Sequence, residues 1–224
     1  VLPEWLPQLS ATILGPEPKM YWYLSRGSAF AAYGLLWMSM AFGVAISNKL
    51  ARVWPGGPNA LDLHDFASLL GLGFALFHAL ILLGDRFIHY NLAQILLPFG
   101  SFNFKPFWVS LGQLALYLWL VVALSFYVRK QISPRAWRVL HYGSFAVFLF
   151  ALVHGLTSGT DSGQAWACWI YWTTGSSLLF LVIYRIAASR LERMARQSQR
   201  AQHPGAPAQA RREDVRINGV HKAR

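Results

Sequence analysis

Residues 61–85 read LDLHDFASLLGLGFALFHALILLGD, and the reading of this stretch decides the fold. From Phe66 to Gly84 no residue carries a charge, and Asp65 and Asp85 close the run at either end. At about 1.5 Å of rise per residue, such a run suits a helix crossing a hydrocarbon core of about 30 Å. The stretch also holds two histidines, His64 and His78, fourteen residues apart. A lone histidine in such a helix often does no more than hydrogen-bond a neighbouring helix. An ionisable side chain among apolar residues is costly all the same, and marks a candidate for function.

Working outward, four further runs match it. Gly27–Asn48 lies between Arg26 and Lys49, and Phe107–Val128 follows Pro106 and stops at Arg129. Val139–Thr157 follows the basic stretch RKQISPRAWR, and Ala165–Tyr184 stops at Arg185. The Ser/Gly/Thr-rich TSGTDSG between the last two reads as a turn. The expected fold is therefore an all-α integral membrane protein, a bundle of about five transmembrane helices. Composition agrees: 55% of the 224 residues are hydrophobic and only 13% are charged.

The net charge of +11 does not point to nucleic acid, because the basic residues sit in loops and a tail beside apolar spans. Placing the carboxyl end in the cytoplasm puts sixteen of the twenty lysines and arginines on that side. Only Lys19, Arg26, Arg86 and Lys105 remain on the other. That bias predicts an outer amino terminus and a multi-pass protein of the cell (inner) membrane. Three regions are expected: an interfacial segment over 1–21, the membrane domain over 22–187, and a basic cytoplasmic helix extension with a disordered tail over 188–224. Phe87–Phe107, with a short amphipathic turn around Leu92–Leu97, should cap the outer face. The single cysteine, Cys168, excludes a disulfide framework and any multi-cysteine metal site, and reads as a packing residue.

A second histidine pair lies in WRVLHYGSFAVFLFALVHGLTSG, where His141 and His154 are thirteen residues apart. The two spacings correspond to about 21 Å and about 20 Å along a helix axis. Each helix thus carries one histidine near each membrane surface, and both helices run from cytoplasm to outside. His64 should be level with His141, and His78 with His154. Two neutral imidazoles at each level meet the need of six-coordinate heme iron. Fourteen residues close almost four turns, so His64 and His78 share a face. Thirteen fall about 140° short, so His141 and His154 require a π-bulge, a tilt, or exits from different flanks. Gly71, Gly73 and Gly143 read equally well as clearance for a flat ligand or as helix-packing positions. Arg138 and Arg135, a turn before His141, suit heme propionates at the inner level, and Arg86, Lys105 and His89 are the outer candidates; all of them read equally well as anchors to lipid headgroups.

Other chemistries fit less well. Zinc wants four ligands converging on one point. A proton relay would draw on acidic groups within the spans, whereas Asp62, Asp65 and Asp85 lie at their ends. No nucleotide-binding or nucleophile-elbow motif occurs. Trp166, Trp169 and Trp172 read as an aromatic belt, with a quinone contact as the minor alternative.

At these residues the chain resembles the ferric reductase-like transmembrane domain, the superfamily of ferric-chelate reductases, the NADPH oxidase membrane part and the methionine sulfoxide reductase heme subunit. The resemblance rests on the unequal histidine spacings and on the W-R-x-L-H-Y…H-G pattern of Trp137, Arg138, Leu140, His141, Tyr142, His154 and Gly155, and covers about residues 25–185. It implies two b hemes, held by His64/His141 and His78/His154, and electron flow from the cytoplasm outward. Only a basic tail follows Arg185, so the expected donor is a separate flavoprotein or a quinol, with any flavin or quinone supplied by a partner. The acceptor would be ferric iron, oxygen or an outer-side oxidoreductase. On this reading the chain is the heme membrane subunit of an oxidoreductase. The alternative is a heme-bearing or scaffolding anchor within a larger respiratory or photosynthetic complex.

Overall fold

The computed structural model describes residues 20–48, 50–52, 55–85, 89–100 and 104–202. The interfacial segment expected over 1–21 lies outside them except for Met20 and Tyr21, which already belong to the first helix. The expected tail beyond Gln202 lies outside them as well. Among the described residues every regular element is helical: α1 (Met20–Ser47), α2 (Gly57–Ile81), the short α3 (Leu92–Leu96), α4 (Pro106–Tyr127), α5 (Pro134–Ser158) and α6 (Ala165–Gln202). Single 3-10 turns, Leu50–Arg52 and Leu82–Gly84, follow α1 and α2. Five of these helices are long and apolar enough to cross a membrane, with mean hydropathies of 1.4 to 2.2 in their most apolar windows.

The helix starts follow local chemistry. Proline stands in the first turn of α2, α4 and α5, where its missing N–H costs nothing and its fixed φ suits a helix. Ser133 caps α5 by accepting from the N–H of Ala136 at 3.2 Å. Asn91 and Gln94 form a reciprocal capping box on α3, the short turn expected near Leu92. Gly56, at φ 104°, occupies a conformation open mainly to glycine just before α2.

Packing follows from side-chain faces. Along α1 the buried residues Ser25, Ser28, Ala32, Tyr33, Leu36, Ser39, Met40 and Val44 recur every three or four positions and form one stripe. α1 packs chiefly along α2, and α4 along α5. Ser25 meets His78 while Ser39 meets His64, so α1 and α2 are antiparallel. Trp108 meets His154 while Leu118 and Val122 lie against Gly143, so α4 and α5 are antiparallel. The first half of α6 lies parallel to α1, with Tyr33 Oη 2.7 Å from Thr174 Oγ1 and Trp37 Nε1 donating to Ser177 Oγ at 2.9 Å. Tyr33, Leu36, Leu72, Trp119, Phe148 and Tyr171 form the centre of the hydrophobic core. The unit built this way runs to Leu181. Beyond it α6 continues as the polar stretch expected from the sequence, with an exposed Glu192–Arg196 pair at 3.7 Å.

Only 11% of the apolar window of α5 is buried, against 33% for α1. A water-soluble bundle could not leave so much apolar surface open, whereas lipid accepts it at no cost.

Candidate heme-binding histidine pairs

The two histidine helices are parallel, and their histidines meet at two levels. The rings of His64 and His141 have centroids 6.0 Å apart with planes at 63°, and those of His78 and His154 are 6.4 Å apart at 68°. A metal–imidazole bond of about 2.0–2.1 Å, with the ring centre about 1.1 Å beyond the nitrogen, places two rings across one metal ion with centroids about 6.3 Å apart. Both pairs have that separation. No third His, Cys, Asp or Glu joins either pair into a larger cluster among the described residues.

The second ring nitrogen explains how the rings are aimed. His64 Nδ1 is 2.8 Å from the carbonyl oxygen of Ser39, His78 Nδ1 is 2.9 Å from that of Ser25, and His154 Nδ1 is 2.8 Å from that of Trp108. A carbonyl oxygen only accepts, so each Nδ1 carries the proton and each Nε2 keeps its lone pair for a metal. The Ser39 hydroxyl adds to the grip: it donates to the His64 carbonyl at 3.1 Å and lies 3.0 Å from Nδ1.

These contacts share one device, which the sequence reading did not single out. A helix carbonyl at position i is reached by a histidine ring only where residue i+4, one turn on, is small. Ser25 is followed by Ala29, Ser39 by Gly43 and Trp108 by Gly112. A methyl group at Gly112 would lie 2.8 Å from His154 Nδ1 and Cε1, and one at Gly43 would lie 3.2 Å from His64 Cε1. Ser25 and Ser39 are fourteen residues apart, the spacing of His78 and His64 on the antiparallel partner. That repeat is visible in the sequence.

His141 is held differently. Among the described residues it has no hydrogen bond of this kind; its ring stacks on Trp137, centroids 5.0 Å apart at 21°. The angular mismatch on α5 is met without a π-bulge, since α5 is an unbroken α-helix between His141 and His154. The two rings leave different flanks of α5, one steadied within its own helix and the other by α4.

A cavity of about 300 Å³ surrounds His78 and His154, at the small end of the range of about 300–1,000 Å³ for organic ligands. Ala75, Ala79, Ala115 and Ala151 line it with small side chains. The glycines named from sequence behave otherwise. A methyl at Gly71 would lie 2.8 Å from Trp119, so Gly71 serves helix packing; Gly143 would make ordinary contacts with Leu118 and Val122, and Gly73 faces open space. Arg138 and Arg135 are exposed, within two turns of His141 along α5. Of the outer candidates, Lys105 Nζ donates to the carbonyl of Thr157 at 2.6 Å, His89 is exposed with φ 54°, and Arg86 lies outside the described residues. Arg26, a span boundary and one of the four basic residues expected on the outer side, pairs with Asp161 and stacks 3.9 Å over Trp22. Cys168 donates to the Ser162 carbonyl at 3.1 Å, in keeping with a packing role. No family model, no curated protein and no solved structure matches the chain.

Proposed function

We propose that this chain is a membrane cytochrome of the ferric reductase-like class, passing electrons across the bilayer through two b-type hemes. The observation that carries the reading is the pair of histidine couples with centroid separations of 6.0 and 6.4 Å, each suited to one iron atom between two imidazoles. His64 and His141 would hold the inner heme, His78 and His154 the outer one. Bound there, heme b supplies a one-electron couple on each side of the membrane.

The chain's own residues do the positioning. The carbonyls of Ser39, Ser25 and Trp108 accept from Nδ1 of three of the imidazoles and so aim their Nε2 atoms and raise their basicity. Trp137 keeps the fourth in plane. Apolar helices flank both levels. Arg138 is placed to offer a cation to an inner propionate. The excess of basic residues on one side supports electron entry at the inner level, from a flavoprotein or quinol, and exit to an outer acceptor. The test is a pyridine hemochrome assay with a reduced-minus-oxidised spectrum of purified protein. Two low-spin b hemes per chain are expected, and a protein that stays colourless after expression with ample heme supply would overturn the reading.

A further inference from the structure

The outer cavity carries hydrogen-bonding groups that the chain itself leaves unanswered. Among the described residues, buried side-chain nitrogen or oxygen atoms without a partner occur in five residues, Arg26, Asn48, Tyr90, Trp137 and Ser158. Three of the five, Arg26, Tyr90 and Ser158, line this one cavity. Buried polar groups are nearly always satisfied, so a cluster of exceptions in one cavity points to a missing hydrogen-bonding partner.

Their placement is coherent. Ser158 stands one helical turn beyond His154, on the side away from the inner pair. Arg26 adjoins Ser25, whose carbonyl holds His78. Tyr90, 7% exposed, enters from the segment between α2 and α3. One nitrogen of Arg26 is taken by Asp161, which leaves the Nε–H as its unpartnered donor. With the Tyr90 and Ser158 hydroxyls it makes three donors. A carboxylate is acceptor-only and offers about four lone-pair sites, which suits such a set.

We propose that Arg26, Tyr90 and Ser158 form a carboxylate-binding cluster at the outer end of the histidine cavity. The carboxylate has two possible sources of the same chemistry: the propionates of a heme held by His78 and His154, which rests on the function proposed above, or a small free carboxylate entering from the outer side. Tyr90→Phe and Ser158→Ala each delete an oxygen that has no protein partner. A merely structural role therefore predicts no loss of thermal stability, and both variants should fold.

The experiment uses the full chain in detergent, as wild type and as each variant, with two readouts. One is heme transfer to excess apomyoglobin together with the propionate bending bands in resonance Raman. The other is citrate titration followed by tryptophan fluorescence, since Trp22 lines the cavity. Propionate binding predicts that each variant releases one of its hemes about tenfold faster, with shifted bands, and that citrate has no effect. Free-carboxylate binding predicts saturable citrate quenching in wild type, about tenfold weaker in each variant, with unchanged heme release. Variants that match wild type in both readouts overturn the cluster. Wild-type protein that carries no heme overturns the electron-transfer reading instead, and the citrate titration alone then decides the cluster.

Discussion

His154 depends on more than its own position. Its ring is aimed by a carbonyl on another helix, its partner ring is on a third, and its neighbour Ser158 lines the same cavity. Replacing His78 or His154 by alanine should remove one heme and leave the His64/His141 heme spectrally intact, because the two levels share no ligand. Hemochrome quantification and low-temperature absorption would check this; loss of both hemes from either variant would mean that the levels are not independent. His141 poses a different question, since its ring is held by Trp137 and not by an Nδ1 hydrogen bond. Trp137→Phe keeps a flat face and should retain a low-spin inner heme. Trp137→Leu should free the ring and admit carbon monoxide or a high-spin fraction, read by electron paramagnetic resonance. A purely structural tryptophan would make the two variants differ in stability and not in spin state. The four paired histidines were legible from the sequence because each is an ionisable residue in an apolar run, which needs no tertiary information to stand out.

The same separation holds for whole elements. α1 carries none of the four histidines, yet its serines at 25 and 39, each with a small residue one turn on, position both histidines of α2. α4 does the same for α5 through Trp108 and Gly112. Gly112→Ala should be severe, since a methyl group 2.8 Å from the imidazole has to displace the ring or part the helices. Overpacking of that kind costs about 1–3 kcal/mol and should lower outer-heme occupancy. Gly43→Ala, at 3.2 Å, should be milder and affect only the inner heme. Heme content per chain and thermal melting of the two variants would test that order. Ser39→Ala should be milder still, because the backbone carbonyl, the main acceptor for His64, survives the change. The helices themselves were expected from charge-free runs, but their ends moved. α1 begins at Met20, ahead of the charge-free run from Gly27, and α2 at Gly57, ahead of the Asp62–Asp65 stretch expected to open it, because a helix continues through polar residues such as Arg26 and Asp62 wherever backbone hydrogen bonds and proline starts allow it.

At the scale of the molecule, the parallel course of α2 and α5 sets the two levels, and the basic asymmetry is the ground for expecting the His64/His141 level to be the inner one. A reporter fused after Arg224 should be found in the cytoplasm, and one inserted between residues 157 and 164 should be found outside. Reversed accessibility would invert the proposed direction of electron flow while leaving the ligand sets untouched. The sequence by itself determined the number of spans, the identity of the four histidines and their pairing by level, since these depend on hydropathy and on rise per residue, both local quantities. The tertiary structure alone decided how an unfavourable thirteen-residue spacing is accommodated, which carbonyls orient the rings, why Gly43 and Gly112 must be small, and that Arg26 meets Asp161 across the fold. Each of these depends on the rotation of one helix about its axis against a partner distant in sequence. That rotation is set by packing around the whole bundle, and no single run of residues encodes it.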